Sequence, residues 1–155
     1  MIKLIFVEQQ GLLRAAMKHL IDGYPQIQLI GSCETGKDLL SVLDRPSEVT
    51  IVLSTNIQDM TLMFLIKKLR RDMSRAKILV LASESNSILA KQYLLAGADG
   101  YIDKSITEVE FIETLQKIQN TKVVLPNALA QELADYEGSE KNLPPFQLLT
   151  GREMD

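Results

Sequence analysis

The chain predicts a doubly wound α/β domain: five parallel strands in an open sheet with helices on both faces, followed by a linker helix. Three observations carry this. Short apolar runs alternate with stretches of helical period five times before about Asn120. One run, Ile51-Val52-Leu53, is apolar without interruption, as a strand covered on both faces must be. Finally, 155 residues with 46% hydrophobic and 24% charged content suit one globular domain with an appendage.

The elements follow in order. Leu4-Ile5-Phe6-Val7 is the first strand, ending at the polar Glu8-Gln9-Gln10. A helix follows with Leu13, Met17, Leu20 and Ile21 on one face, closed by Gly23 and Pro25. Ile27 to Ile30 alternates apolar with polar as a second strand, and Gly31-Ser32-Cys33 leads to a helix near Lys37 to Leu43, broken by Pro46. Ile51-Val52-Leu53 is the third strand, and Ser54 stands at its end. The loop from Thr55 to Asp59 leads to a helix carrying Leu62, Leu65, Ile66 and Leu69. Ile78-Leu79-Val80-Leu81 is the fourth strand, ending at Ala82-Ser83 before a helix from about Ser87 to Ala96. Gly97-Ala98-Asp99-Gly100 is turn chemistry, Tyr101-Ile102 a brief fifth strand, and Asp103-Lys104-Ser105 its exit. The fifth helix has two overlapping start signals, Ser105 with Glu108 and Thr107 with Glu110, and apolar positions Val109, Ile112, Leu115 and Ile118.

Beyond Asn120 the pattern changes. Pro126 suits a first helical turn, with Leu129, Leu133 and Tyr136 along one side. Gly138 to Gln147 has the composition of an exposed linker. Thr150 with Glu153 forms a capping box for a helix that the chain does not contain, so the end reads as cut. The predicted organisation is a domain over residues 1–120, a helical then flexible linker over 121–147, and the opening of another domain over 148–155.

Composition excludes several classes. No run approaches the roughly 18 apolar residues of a membrane span, and the first strand is too short for a signal peptide, which predicts a cytoplasmic protein without membrane contact. One cysteine, Cys33, cannot form an internal disulfide, and one histidine with one cysteine cannot build a zinc site. A net charge of −3 argues against a domain that grips nucleic acid through its own surface. No nucleophile–base pair is visible, so the chain is expected not to be an enzyme.

Four stretches together resemble the receiver domain of bacterial two-component response regulators, in particular the NarL/FixJ family. Glu8-Gln9-Gln10-Gly11-Leu12-Leu13-Arg14 lies where that family usually has two acidic residues, His, Pro, two apolar residues and Arg. Tyr24-Pro25-Gln26-Ile27-Gln28-Leu29-Ile30-Gly31 resembles its link into strand two. Ala96-Gly97-Ala98-Asp99-Gly100-Tyr101-Ile102-Asp103-Lys104 is the most specific stretch, and Leu149-Thr150-Gly151-Arg152-Glu153 looks like the opening of a LuxR-type helix-turn-helix domain. The resemblance implies a CheY-like fold and, in a complete protein, transcriptional regulation through DNA binding.

The family transfers a phosphoryl group from a histidine kinase onto an Asp at the end of strand three. This needs a divalent cation held by carboxylates and a cation to neutralise the phosphoryl oxygens. Carried over by position, the constellation is degenerate. Ser54 stands for the acceptor, Gln9 for one of the two acids, and Ala82 for the hydroxyl residue that binds a phosphoryl oxygen; Glu8, Tyr101 and Lys104 keep the family's form. No metal ion and no cofactor is therefore expected.

Asp59 is a displaced acceptor at best, and a loop acid or helix cap otherwise. Lys104 is expected to pair with Glu8 in preference to binding an anion, and Tyr101 to be a half-buried structural residue. Cys33 reads as packing and His19 as surface. Lys67, Lys68, Arg70, Arg71, Arg75 and Lys77 read as a solvated basic helix face. The expected function is that of an atypical response regulator whose receiver works without phosphorylation. It would homodimerise through its helices and control a LuxR-type DNA-binding domain, and the sequence leaves open whether a histidine kinase is a partner. The alternatives are a phosphorelay receiver using Asp59 or Ser54, and a receiver that senses a small ligand between Glu8, Ser54 and Lys104.

Overall fold

The computed structural model describes residues 1–43, 48–121, 123–125, 129–132 and 134. The expectations for Pro46, Pro126, Leu133, Tyr136 and everything from Gly138 to Asp155 lie outside the described residues. Among the described residues, these elements alternate: β1 Ile2–Val7, α1 Gly11–Asp22, β2 Ile27–Cys33, α2 Gly36–Val42, β3 Thr50–Ser54, α3 Leu62–Asp72, β4 Lys77–Ala82, α4 Ser87–Ala96, β5 Gly100–Asp103 and α5 Glu108–Lys117. The strands form one parallel sheet in the order β2-β1-β3-β4-β5.

The period of two along each strand divides the core in two. Ile5, Val7, Ile51, Leu53, Ile78, Val80 and Tyr101 point to the face covered by α2, α3 and α4. Leu4, Phe6, Val52, Leu79, Leu81 and Ile102 point to the face covered by α1 and α5. Ile51, Val52 and Leu53 are all fully buried, because β3 lies mid-sheet with helices on both sides.

Chain order reverses between β1 and β3, which lie side by side. In open parallel sheets such a switch point leaves a crevice beyond the carboxyl ends of the two strands. Glu8 follows β1 and Ser54 ends β3, so both sit at that crevice.

Where the observed elements differ from expectation, tertiary pairing decides. β2 runs on through Gly31, Ser32 and Cys33 because these pair with Ile5, Phe6 and Val7, after a register shift between Leu4 and Ile5. β5 likewise extends to Gly100 and Asp103 through pairing with β4. Of the two start signals for α5, the Thr107–Glu110 capping box forms. Val109 is exposed although it belongs to the apolar ladder 109, 112, 115, 118. Steps of three residues drift by about 60° each on an α-helix, so that ladder crosses half the circumference. Ile112, Leu115 and Ile118 of that ladder are buried, and Phe111 and Thr114 complete the buried face of α5.

After α5 the chain returns to the sheet edge. Val124 makes a parallel bridge to Gly100, its carbonyl accepts the Tyr101 N–H at 3.1 Å, and its N–H donates to the Asp99 carbonyl at 2.9 Å. Residues 129–132 and 134 are helical; Leu129 is buried in the α2–α4 core, and the Ser87 hydroxyl donates to Glu132 at 2.8 Å.

Candidate functional site

Glu8 is the centre of the crevice. β1 has ended, its backbone N–H is tied to the Cys33 carbonyl at 2.9 Å, and the residue is fully buried. Both oxygens of its carboxylate accept hydrogen bonds. Oε2 accepts the Gln10 N–H at 2.9 Å and the Asn56 side-chain amide, and Oε1 accepts Lys104 Nζ at 3.1 Å. Burial by itself would push this carboxyl up. The Gln10 N–H, the Asn56 amide, the field of the Ser54 hydroxyl and the Lys104 ammonium outweigh it and hold the pKa below the ordinary glutamate value.

Ser54 is fully buried at the end of β3, and its Oγ makes no hydrogen bond of acceptable geometry. Its neighbour Thr55 continues the sheet, donating its N–H to the Leu81 carbonyl at 3.2 Å. Gln9 enters through its backbone: its N–H points at Asn56 Oδ1 at 3.5 Å, and its carbonyl accepts from Arg14 at 2.9 Å. Arg14 also donates to the Glu8 carbonyl at 2.6 Å, so one guanidinium braces the whole loop from the first turns of α1.

Lys104 reaches the site because its own N–H is fastened to the Ala82 carbonyl at 2.9 Å, carrying the ladder past the end of β5. Ala82 and Tyr101 themselves belong to the α2–α4 side of the sheet. Tyr101 is fully buried, not half-buried as expected. Ala82 presents only a methyl group on that face, the Tyr101 ring stacks on Tyr93 with centroids 6.2 Å apart, and its hydroxyl donates to the Glu84 carbonyl at 2.8 Å. Asp59 lies away from the crevice. Its carboxylate accepts the N–H groups of Gly36 at 3.0 Å and Lys37 at 2.9 Å, closing the first turn of α2.

The structure thus brings together Glu8, Lys104 and Ser54, with Gln9 contributing backbone, and places Ala82, Tyr101 and Asp59 outside that cluster. Asn56 and Arg14 are the site residues that sequence reasoning missed. Asn56 carries no local signal, since its role exists only once the loops after β1 and β3 are adjacent. Arg14 stood inside a stretch already singled out, six residues beyond Glu8.

Chemically, the cluster is a closed ion pair. A divalent cation in this crevice takes hard oxygen donors, mainly carboxylates. Here one carboxylate is present, both its oxygens are engaged by N–H donors, and an ammonium already neutralises it. The donor set does not fit a magnesium ion. Among the described residues, no three His, Cys, Asp or Glu side chains converge as a metal site, and no helix is long and apolar enough to cross a membrane.

A five-stranded sheet in this order, with an acid after β1 and a lysine after β5 meeting at the switch point, defines a receiver-type regulatory domain. The family model for the response regulator receiver domain matches residues 4–116, and the chain belongs to that family. It is similar to response regulators of the NarL and LuxR types. It is 24% identical over 153 residues to the nitrate/nitrite response regulator protein homolog of Haemophilus influenzae, covering 99% of this chain and 72% of that protein. It is 26% identical over 155 residues to the nitrate/nitrite response regulator protein NarP of Escherichia coli, covering 99% and 71%. Among solved structures, a LuxR-family two-component response regulator from Aurantimonas sp. SI85-9A1 superposes with a TM-score of 0.78 at 18% identity, covering 87% of this chain and 96% of that one. The isolated receiver domain of RcsB from Salmonella enterica serovar Typhimurium, with a phosphomimetic beryllofluoride, gives 0.72 at 16% identity, covering 84% and 96%.

Proposed function

We propose that this receiver regulates transcription without aspartyl phosphate. It serves as a dimerisation and interaction module that positions a LuxR-type DNA-binding domain. One observation carries the reading: the Glu8 carboxylate is closed by Lys104, Gln10 and Asn56. The position that would receive the phosphoryl group holds a buried serine without a base. Tyr101, packed inward with its hydroxyl on the Glu84 carbonyl, supports it further, since that residue is already fixed with no hydroxyl at position 82 to draw it in. A related structure contains two RcsB dimers bound to two parallel DNAs. The same use of a dimer is proposed here, with DNA reached through a segment beyond the receiver.

The test is titration of the protein with beryllofluoride or acetyl phosphate in the presence of Mg²⁺, followed by NMR. The expected spectrum is unchanged around Ser54, and the oligomeric state and DNA binding of the full-length protein are the same with and without donor. A saturable shift at Ser54, or DNA binding that requires the donor, overturns the proposal.

A second reading has a specific observation behind it. A cavity of about 280 Å³ between α1 and α5, lined by Phe6, Leu13, Met17, Leu81 and Phe111, opens beside Glu8 and Lys104. If this receiver senses a small apolar ligand, a metabolite screen by thermal shift will raise the melting temperature. The reading of Asp59 or Ser54 as phosphoacceptor is disfavoured, because the first is engaged as a cap of α2 and the second has no exposed surface.

A further inference from the structure

The basic group in α3 and the following loop does not form one solvated helix face. At the end of the sheet opposite Glu8, a groove of about 1000 Å³ opens beneath the starts of β3, β4 and β5. Three segments bring their cations to it: Lys67, Arg70 and Arg71 from the last turns of α3, Arg75 from the loop, and Lys77 from the start of β4. Among the described residues, two acids, Glu48 and Asp99, share the lining with these five cations, an excess of three positive charges in that lining on a chain of net charge −3. A concave wall focuses such a field in a way that a convex helix surface does not.

The five cations are not equivalent. Arg70 belongs to the fold: it donates to Asp99 at 2.6 Å and to the carbonyls of Gly97, Ser74 and Ala76. It therefore consumes the carbonyl oxygens that would otherwise offset the field at this end of the sheet. Arg75 holds Glu48 only at 3.6 Å with both side chains exposed, a contact worth little in water. Arg71 reaches Asp72, its chain neighbour, from a position that is 70% exposed. The side chains of Lys67 and Lys77 enter no ion pair among the described residues.

Lysine point charges and arginine forks on a concave wall match a compact, multiply charged phosphate chain. Among the described residues, the lining contains no aromatic ring on which bases of a nucleic acid strand would stack. We propose that this groove binds a short polyphosphate, free or as the phosphate tail of a nucleotide. The Ser74 hydroxyl is a further donor on the rim, and Val49, Leu95 and Ala96 form the apolar wall beside it. The proposal is independent of how the Glu8–Lys104 site works.

The experiment is an NMR titration of the whole chain with inorganic tripolyphosphate and, separately, with ATP, each at low and at physiological salt. Saturable shifts confined to the amides of 67–77 and 95–99 are expected, weakening as salt rises. Lys67→Gln/Lys77→Gln should weaken binding at least tenfold. Lys3→Gln/Lys18→Gln removes the same charge elsewhere and should leave binding within twofold. If the first double variant does not fold, Arg71→Gln, at an exposed position, replaces it. Tighter binding of ATP than of tripolyphosphate assigns the nucleotide form, and equal binding assigns the phosphate chain. No saturation at millimolar ligand, equal weakening by both double variants, or tighter binding of a single-stranded oligonucleotide overturns the proposal.

Discussion

Glu8 is a charged group made tolerable in a buried place by its partners, and its behaviour with pH follows from that. Its folded-state pKa lies below the unfolded value, so the ionised form is the one that folding favours. The stabilisation is fully present above the unfolded pKa, about 4.3, and is lost as pH falls through the folded pKa. Wild-type urea midpoints should therefore hold from neutrality down to about pH 5 and decline below about pH 4. Glu8→Gln should cost about 2 kcal/mol at pH 7, because charge-assisted hydrogen bonds are lost. The partial exposure of Lys104, 27% at its side chain, keeps this below the cost of breaking a fully buried pair. The variant should also show a flatter decline between about pH 5 and 3. If both proteins decline with the same slope, Glu8 is not held below its ordinary value.

At the scale of elements, Arg70 and Asp99 show how one pair joins four segments. Asp99 is fully buried; its Oδ2 accepts the Ile78 N–H at 2.8 Å and the Arg70 guanidinium at 2.6 Å, while its own N–H donates to the Ile78 carbonyl at 2.7 Å. Arg70 extends the same contact to the end of α4 through Gly97. Gly97 ends that helix at φ +126, and a Cβ there would meet the Arg70 side chain at 2.9 Å. Glycine is needed for the angle and for the space. Asp99→Asn keeps an acceptor for the Ile78 N–H but leaves the guanidinium without its counter-charge. It should destabilise by about 3–5 kcal/mol, read as a lower urea midpoint with an unchanged slope. A loss under about 1 kcal/mol would mean that the pair is worth no more than a surface one. The sequence marked Gly97 to Gly100 as a turn and Arg70 as a solvated face. Neither reading exposes the pair, because 29 residues separate its members and only the packing of α3 against α4 and β5 brings them together. The elements themselves were legible, since hydrophobic period is local. Their edges at Gly31–Cys33 and Asp103 were not, since strand ends are set by the partner strand.

At the scale of the whole molecule, the crevice was legible from the doubly wound pattern and from the resemblance that put Glu8, Ser54 and Lys104 at one site. The side chains that close it, Asn56 and Arg14, were not, because they depend on how two loops meet. What the fold retains is a sheet that still delivers positions 8, 9, 54, 82 and 104 to its carboxyl end. If the crevice has a receiver's shape, Gln9→Asp/Ser54→Asp should supply the carboxylates for cation binding, and adding Ala82→Thr should supply a hydroxyl for a phosphoryl oxygen. The triple variant crowds three carboxylates around one lysine, so without metal it should be less stable than wild type through like-charge repulsion and burial. Mg²⁺ binds the folded state alone and repays that loss by mass action. Its melting temperature should therefore rise with Mg²⁺ concentration and level off, while that of the wild type stays flat. Beryllofluoride should add a further rise in the variant only. A variant that folds yet ignores Mg²⁺ would place the loss in the crevice's shape, with the loop held by Asn56 and Arg14 as the next region to change.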